Sequence, residues 1–343
     1  MLKLFTDTSF LTEQYRHEVF PLLFDLVFKK HENLLNNYSI IKEVSIADIV
    51  VFPIDYTSFL KHKLAFSVLN NAAKAYQKPI WIYTGGDFGF TNYIPNTYTF
   101  RLGGFNSKLN ETSFILPSFI NDPYTTYLTT SFSPLKKEDK PSVGFVGHAQ
   151  SGIFKYIKEY SNFLKLKLKR VFNRVLVDKQ AFYPSSIKRA KYLQQLNLNK
   201  AINSNFIWRN KYRAGSDSTL KQNETSKAFY ANIFENGYTF CLRGVGNFSV
   251  RFYETLAVGR IPVVVNTDCK FPLHNKIDWN KHCLIINENN KKSVAQHIIE
   301  FHQSLSSKEF EDIQRSNRAL WLNTLQRDMY FLQVYEDFKS KLK

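Results

Sequence analysis

Short apolar runs alternate with amphipathic stretches along most of the chain. Residues 2–5, 79–83 and 97–102 are brief apolar segments of the kind that form buried strands. Between such runs, apolar residues recur at helical spacing, as in residues 12–30 and 59–76. Strands that alternate with helices predict parallel sheets covered by helices, so the pattern indicates an α/β protein.

A polar stretch divides this pattern into two parts. Residues 125–141 are rich in Thr, Ser, Pro and Lys and lack an apolar period, which is typical of a linker. The chain of 343 residues also exceeds the size of a typical single core. We therefore predict one α/β domain over residues 1–124 and a second over residues 142–315. Residues 316–343 predict a long C-terminal helix that packs back toward the first domain.

The most informative segment lies late in the second predicted domain. An apolar strand at residues 238–242 is followed by a loop that contains Gly244 and Gly246. Ser249 is a suitable N-cap for the helix that follows, and Gly259 ends that helix. A second apolar strand comes next. The free N–H groups and the dipole at the start of such a helix bind anions.

Two charged residues are placed unusually on this helix. Arg251 falls in its first turn, where the helix dipole disfavours a cation unless an anion lies beside it. Glu254 shares a helix face with Arg251 because it lies three residues further on. A surface ion pair and a ligand site both fit this spacing.

The same segment resembles the C-terminal signature of the exostosin-like glycosyltransferases of family 47. The signature combines a strand and loop, an "S-x-R-x-x-E" helix start, "G-x-I-P-V", a proline turn and "I-D-W". The matching residues are Phe240-Cys241-Leu242, Gly244 and Gly246, Ser249 to Glu254, Gly259 to Val263, Phe271-Pro272-Leu273 and Ile277-Asp278-Trp279. The match departs from the family at Phe271, where Leu is usual, and in lacking a Pro before Arg243.

The first predicted domain resembles the family only in fragments. Ala47-Asp48 followed by Val51-Phe52-Pro53 is similar to one family motif. Gly85-Gly86-Asp87-Phe88 stands where the family has "G-R-D-H", so Gly86 replaces the Arg and Phe88 replaces the His. Asp87 is the acidic residue that remains.

The resemblance implies a GT-B architecture of two Rossmann-like domains and an inverting, metal-independent glycosyltransferase. The second domain would hold a nucleotide-sugar, and a glycan or lipid-linked glycan acceptor would approach the first. The product would be a bacterial surface polysaccharide, such as capsule or lipopolysaccharide. Two further hypotheses are a non-catalytic relative that binds nucleotide-sugar or glycan, and a basic nucleic-acid-binding protein.

The donor needs groups that stabilise the departing diphosphate. Arg251 is the first candidate, and Glu254 would accept hydrogen bonds from the ribose. The candidate donor-binding residues are Arg251, Glu254, Arg243, Gly246, Asn247, Ser249, Arg209, Gly147 and His148. Alternatives remain for several of them: Arg243 as a solvent-facing loop residue, Arg209 beside a core corner at Trp208, and His148 as a helix cap.

The acceptor hydroxyl needs a catalytic base. Asp87, Asp55 and Asp7 each follow a predicted strand, on the side of the sheet where a site would form. Each is equally suited to cap a turn. Asp87 also matches the family motif, so we place Asp87 first and Asp55 second.

No cofactor is expected. The eight His residues show no metal-ligand spacing, there is no Asp-x-Asp pair, and Cys241, Cys269 and Cys283 form no zinc motif. Three cysteines also do not suggest a disulfide framework, and the N-terminus lacks the features of a signal peptide. We therefore predict a soluble, bacterial-type family member in the cytoplasm.

The net charge of +17 bears on the partners. Residues 155–174 are densely basic and also carry apolar residues at helical spacing. This segment fits a helix lying on anionic lipid, with the protein peripheral at the inner face of a membrane. It also fits a basic, solvated helix whose other face packs on a core, which is the commoner arrangement. No nucleic-acid-binding motif is present, so nucleic acid is the least expected partner.

Overall fold

The structure is a computed structural model that describes residues 1–209 and 219–341. These residues form two parallel β-sheets, each flanked by helices, and the chain ends in a further helix. The predicted α/β class is confirmed, with two Rossmann-like parallel sheets and a C-terminal helix. Within the described ranges, no helix is both long and apolar enough to cross a lipid bilayer.

The first sheet has six strands in the order β2-β1-β3-β4-β5-β6, and every pairing in it is parallel. The strands are β1 (Leu2–Phe5), β2 (Tyr38–Ile41), β3 (Ile49–Val51), β4 (Ile80–Thr84), β5 (Thr97–Arg101) and β6 (Ser113–Ile115). The helices of this half are α1 (Pro21–Phe24), α2 (Glu32–Leu35), α3 (Tyr56–Phe59), α4 (Lys63–Ala75) and α5 (Pro123–Thr126).

The predicted helix over residues 12–30 is wrong. A short 3-10 turn, Glu13–Tyr15, is followed by a separate helix that begins at Pro21 and continues as a π-helical turn, Asp25–Lys29. Proline has no N–H to donate and a fixed φ, so it favours the first position of a new helix over the interior of a longer one.

The second sheet has five strands in the order β11-β10-β9-β7-β8, again all parallel. The strands are β7 (Ser142–His148), β8 (Asn203–Arg209), β9 (Tyr238–Cys241), β10 (Ile261–Asn266) and β11 (Leu284–Asn287). The helices are α6 (Ile153–Val171), α7 (Ser185–Asn197), α8 (Thr219–Glu235), α9 (Val250–Val258), α10 (Val294–Ser304) and α11 (Ser307–Leu320). Residues 174–177, between α6 and α7, are irregular.

The preferred interpretation of the basic segment at residues 155–174 is wrong, as the environment of α6 shows. We expected its apolar face to pack on a core, but none of its side chains is buried. Its apolar residues Ile157, Leu164 and Leu168 are all exposed. Periodicity shows that a helix has an apolar stripe, but it does not show what covers that stripe.

The last helix, α12 (Arg327–Lys341), returns to the first sheet. Its side chains Tyr330, Phe331, Val334 and Phe338 belong to the hydrophobic core of β1–β5. Tyr38 Oη donates a hydrogen bond to the carbonyl of Phe331 at 2.7 Å. The core of the first half is therefore completed by residues that follow the second sheet in the chain.

A buried arginine ties the two halves together. Arg101, at the end of β5, is 1% exposed, and its Nη1 lies 2.7 Å from Oδ2 of Asp178. Its Nη2 donates to the carbonyl of Phe88, and Asp178 accepts from the N–H of Thr91. The loop after β4 is thus held against a segment that precedes α7.

Candidate functional site

The candidate site lies where the strand order of the second sheet changes direction. From β7 the chain goes to β8 on one side and then returns to β9 on the other. Ligands of open α/β sheets bind outside the carboxyl ends of the strands at such a point. Gly147 and His148 end β7, Arg209 ends β8, and Arg243 follows β9.

The predicted strand, loop, helix and strand form here as β9, α9 and β10. Ser249 occupies the N-cap position of α9 with an extended backbone, but its side chain makes no capping hydrogen bond. Gly259 ends the helix with a left-handed φ of 73°. The N-terminus of α9 therefore faces the carboxyl edge of the sheet, where β7 and β9 lie side by side.

Arg251 reaches back from α9 to the end of β7. Its Nη2 donates to the carbonyl of Val146 at 2.7 Å, and its guanidinium lies 4.3 Å from the ring centroid of Phe145. Gly147 leaves the space for this contact, because a Cβ at that position would lie 2.9 Å from Nη2 of Arg251. Arg251 and Gly147 are thus brought together as parts of one site.

Three more arginines surround this point, and we call Arg189, Arg209, Arg243 and Arg251 the arginine cluster. Burial, and after it the charge of Arg251, lowers the pKa of Arg189 to about 10. The same two causes lower the pKa of Arg209. Like charges held together in a desolvated place disfavour their own ionised forms, so a bound anion would stabilise the cluster.

Arg243 and Arg189 form the inner part of the arginine cluster. Arg243 is 4% exposed and stacks on Tyr183 at 4.8 Å, so the solvent-facing alternative is wrong. Arg189 donates to the carbonyls of His148 at 2.9 Å and Arg243 at 3.1 Å. Among the described residues, the buried Nε–H groups of Arg189 and Arg243 have no acceptor. Buried donors of this kind are normally satisfied, which predicts an acceptor-rich ligand.

Sequence reasoning missed Arg189. It lies in the middle of α7, between Lys188 and Lys191, and nothing in its spacing separates it from an ordinary basic helix face. Only the packing of α7 against the loops after β7 and β9 brings it to the site.

His148 is held between two neighbours at the edge of the site. Its Nε2 lies 2.9 Å from Nζ of Lys155, and its Nδ1 lies 3.3 Å from the carbonyl of Arg209. A lysine ammonium can only donate, so Nε2 accepts and Nδ1 carries the proton in this arrangement. The alternative role of His148 as a helix cap is wrong, because Gly152 is the N-cap of α6.

Arg209 and Glu254 lie on the side of the site nearest α8. Nη2 of Arg209 donates to the carbonyl of Thr225 at 2.7 Å. Burial, and after it the negative charge of Glu254, raises the pKa of Tyr230 on α8. Glu254 therefore lies one helical turn beyond Arg251, at the border between α8 and α9.

Asn247 joins the glycine loop to its surroundings. It is 1% exposed, and its Nδ2 donates to the carbonyls of Gly104, Thr267 and Asp268 at 3.0–3.2 Å. Its Oδ1 accepts from the hydroxyl of Thr267 at 2.6 Å. These contacts give Asn247 a positioning role in the loop.

Gly246 brings the glycine loop against the loop that carries Asp87. A Cβ on Gly246 would lie 2.1 Å from the carbonyl oxygen of Asp87. The side chain of Asp87 is exposed, but partial desolvation by the surrounding protein raises its pKa. The structure thus places the candidate base next to the loop that opens α9.

Asp55 has a different environment from Asp87. Its Oδ1 accepts from the N–H groups of Thr57 and Ser58 at 2.9 and 3.2 Å, and its Oδ2 accepts from that of Gly85 at 2.7 Å. It caps α3 and also fixes the start of the loop that bears Asp87. Asp7 likewise caps a 3-10 turn, by accepting from the N–H of Ser9.

The close contact at Gly246 predicts opposite effects for two neighbouring substitutions. Gly246→Ala should lower the free energy of unfolding by about 1–3 kcal/mol, because the new methyl group overlaps a main-chain oxygen. Gly244→Ala has open space around its Cβ and should be neutral or stabilising by up to about 1 kcal/mol. Thermal and urea unfolding of both variants measure this. Equal effects would show that the two loops do not touch as described.

A cavity of about 210 Å³ lies at the ends of β10 and β11. Glu288 lines it and accepts from the hydroxyl of Tyr183 at 2.8 Å and from Nζ of Lys188 at 2.9 Å. Tyr183 also stacks on Arg243, so one aromatic ring connects the cavity to the cationic groups.

Comparison with known proteins gives limited similarity. No family model matches the chain. A segment of 94 residues is 32% identical to the Exostosin-1 homolog of Caenorhabditis elegans, covering 27% of this chain and 23% of that protein. The glycosyltransferase from Rickettsia africae ESF-5 superposes over 98% of both chains, with 12% identity and a TM-score of 0.41. WaaG, a glycosyltransferase involved in lipopolysaccharide biosynthesis, superposes over 95% of this chain and 84% of its own, with 11% identity and a TM-score of 0.32.

Proposed function

We propose that this protein is a nucleotide-sugar-dependent glycosyltransferase. The observation that carries the proposal is the arginine cluster, set against the N-terminus of α9 at the change in strand order. The buried Nε–H groups of Arg189 and Arg243 call for an anion with several oxygens, and a diphosphate supplies them. The partial match to an exostosin homolog is consistent with this, since it independently suggests the same chemistry.

The arginine cluster would act on the leaving group. Charge builds on the diphosphate as its bond to the sugar breaks, and fixed cations and helix N–H groups stabilise that charge. We propose that Arg251 and Arg243 contact the phosphates, that Arg189 donates its unpaired Nε–H to the same anion, and that Arg209 lies behind them, so that the arginines neutralise the charge. Gly147 permits close approach of the phosphates, and Glu254 would bind the ribose hydroxyls.

Asp87 would act on the acceptor. It would take the proton from an acceptor hydroxyl as that oxygen attacks the anomeric carbon of the donor sugar. The diphosphate would leave from the opposite face, so the anomeric configuration would invert. A raised pKa suits a base, because a more basic carboxylate removes a proton more readily.

The proposed acceptor is a glycan or lipid-linked glycan of bacterial surface polysaccharide synthesis. The acceptor would enter between the two sheets, from the side of the loop after β4. A non-catalytic relative that only binds nucleotide-sugar is the second hypothesis, since Gly86 and Phe88 replace two residues of the family motif.

A thermal-shift screen of nucleoside diphosphates tests the proposal. A nucleotide at a hundredfold excess over its Kd should stabilise the protein by about 2.7 kcal/mol. The screen should include UDP, GDP and CDP, with the nucleoside monophosphates as controls for the second phosphate. If none of the diphosphates raises the melting temperature, the proposal fails. Binding without transfer from any nucleotide-sugar to any glycan acceptor would favour the non-catalytic hypothesis.

A further inference from the structure

We propose that α6 lies on the surface of a bilayer that contains anionic lipid. Most of its large apolar side chains are turned away from the rest of the protein, although Phe163 and Leu166 are partly covered and Phe163 packs on Phe182. Ile157 and Leu168 are 55% and 56% exposed, and Phe154 is 86% exposed. The side chains that are partly covered are mostly of other kinds, such as Lys155, Glu159 and Arg170. The helix is therefore amphipathic with its apolar side outward.

Six of the exposed apolar residues form one continuous stripe. At about 3.6 residues per turn, their positions fall within roughly 80° of the helix circumference. The members of the stripe are Ile153, Ile157, Tyr160, Leu164, Leu168 and Val171. The stripe runs along the outward side of a helix of 19 residues. It therefore suits an extended surface better than a peptide or a small ligand.

The charges beside the stripe indicate what kind of surface α6 binds. Lys158, Lys165 and Lys169 are exposed along one border of the stripe, and Lys167 is exposed along the other. The helix as a whole carries six basic residues and one acidic residue. Lysines that flank an apolar stripe place their ammonium groups at the level of anionic headgroups while the stripe enters the acyl boundary.

The overall charge argues against a second copy of the chain as the partner that covers the stripe of α6. Two molecules of net charge +17 repel each other, and pairing two α6 stripes would bring the lysine borders together. An anionic bilayer reverses the sign of this interaction, so charge complementarity selects the lipid surface.

The position of α6 links this surface to the candidate site. The helix begins just after β7, and Lys155 in its first turn contacts His148. A bilayer under α6 would therefore lie beside the carboxyl edge of the second sheet. The membrane proposal stands on the exposure and charge of α6 and does not depend on the proposed glycosyl transfer.

Vesicle flotation tests the proposal with the full chain. Vesicles of phosphatidylglycerol and phosphatidylcholine should bind the protein, and vesicles of phosphatidylcholine alone should not. Raising the salt concentration should weaken binding to the mixed vesicles. No binding to anionic vesicles, or equal binding to both compositions, would overturn the proposal.

Substitutions in the stripe test whether α6, rather than the protein surface in general, binds the vesicles. The triple variant Ile157→Gln, Leu164→Gln and Leu168→Gln should bind anionic vesicles at least about tenfold more weakly, because it removes the inserted side chains. Its melting temperature should not fall, since these side chains are exposed. The matched control is Leu64→Gln with Val68→Gln on α4, where both apolar side chains are also exposed, and it should bind like the wild type.

A second set of variants tests the lysines. Replacing Lys158, Lys165 and Lys169 with Gln should weaken binding by roughly a hundredfold, at about fivefold for each residue. The control replaces the exposed Lys42, Lys191 and Lys200 with Gln and should bind like the wild type. Equal losses in test and control would show that only net charge matters. A stable dimer that the stripe variant dissociates would show that a second copy covers α6. Either result would contradict the proposal.

Discussion

Replacing Arg251 with alanine should remove half or more of the thermal stabilisation that nucleoside diphosphates give at about a hundredfold excess over the wild-type Kd. Arg251 occupies the first turn of α9 and lies at the centre of the arginine cluster. Loss of a charge-assisted hydrogen-bond donor to an anion costs about 1.5–3 kcal/mol, which is at least tenfold in Kd. The melting temperature with and without nucleotide measures this difference for each variant.

Two further variants test whether the position and the planar donor groups of Arg251 matter, rather than positive charge alone. Arg251→Lys keeps the charge but loses the planar fork of donors, so it should retain only part of the nucleotide-induced shift. Arg315→Ala removes an exposed arginine that pairs with Glu311 on α11, and it should leave the shift unchanged. Arg251 also donates to the carbonyl of Val146, so the ligand-free melting temperature of Arg251→Ala should fall, and the readout is the shift that the nucleotide adds to it. An undiminished nucleotide shift in Arg251→Ala would move the phosphate site away from α9.

Replacing Asp87 with asparagine should leave nucleotide binding intact and reduce transfer about 10²–10⁴-fold. Asparagine keeps the shape of the side chain but cannot accept a proton at the required point. The carbonyl of Asp87 still meets the glycine loop in this variant, so the two halves should remain in register. Nucleotide-induced shifts and transfer rates, measured on the same preparation, separate binding from turnover.

The pH dependence gives a second test of Asp87. A base works only in its ionised form, so activity should be lost as the pH falls through its pKa. Partial desolvation raises that pKa above the ordinary value of 3.8, so the acid limb should lie above the pH at which an ordinary aspartate titrates. The acid limb should disappear in the residual activity of Asp87→Asn. Wild-type turnover by Asp87→Asn would transfer the role of base to another group.

The parts of the fold that follow from local signals could be predicted from the sequence. The β9–α9–β10 unit is one, because Ser249, Gly259 and the flanking apolar runs each specify a local conformation. The helix expected over residues 12–30 failed because its apolar period continues across Pro21. Strand β2 was missed, since it is short and directly follows two asparagines.

The site was less predictable than the fold. Arg251 and Gly147 were candidates from their local setting, and the structure places them in contact. Arg189 and Arg101 were missed because their roles depend on which loops pack against them. Position after a strand does not distinguish Asp55 from Asp87. The hydrogen bonds in the structure do, because Asp55 accepts from the N–H of Gly85 as a cap, whereas Asp87 has an exposed carboxylate.

Helix α12 has a consequence for how the chain is made. The ribosome releases β1–β6 first, yet Trp81 in β4 packs on Phe338, with ring centroids 4.6 Å apart. Until α12 emerges, that apolar face of the first sheet has nothing to cover it, and long-range closure of this kind is slow. The second sheet also depends on late residues, because Trp321 and Leu325 share a hydrophobic cluster with Cys241 of β9 and Val264 of β10, but these residues precede α12. The residues that complete the C-terminal half therefore leave the ribosome one helix before those that complete the N-terminal half, which reverses the order in which the two sheets are synthesised.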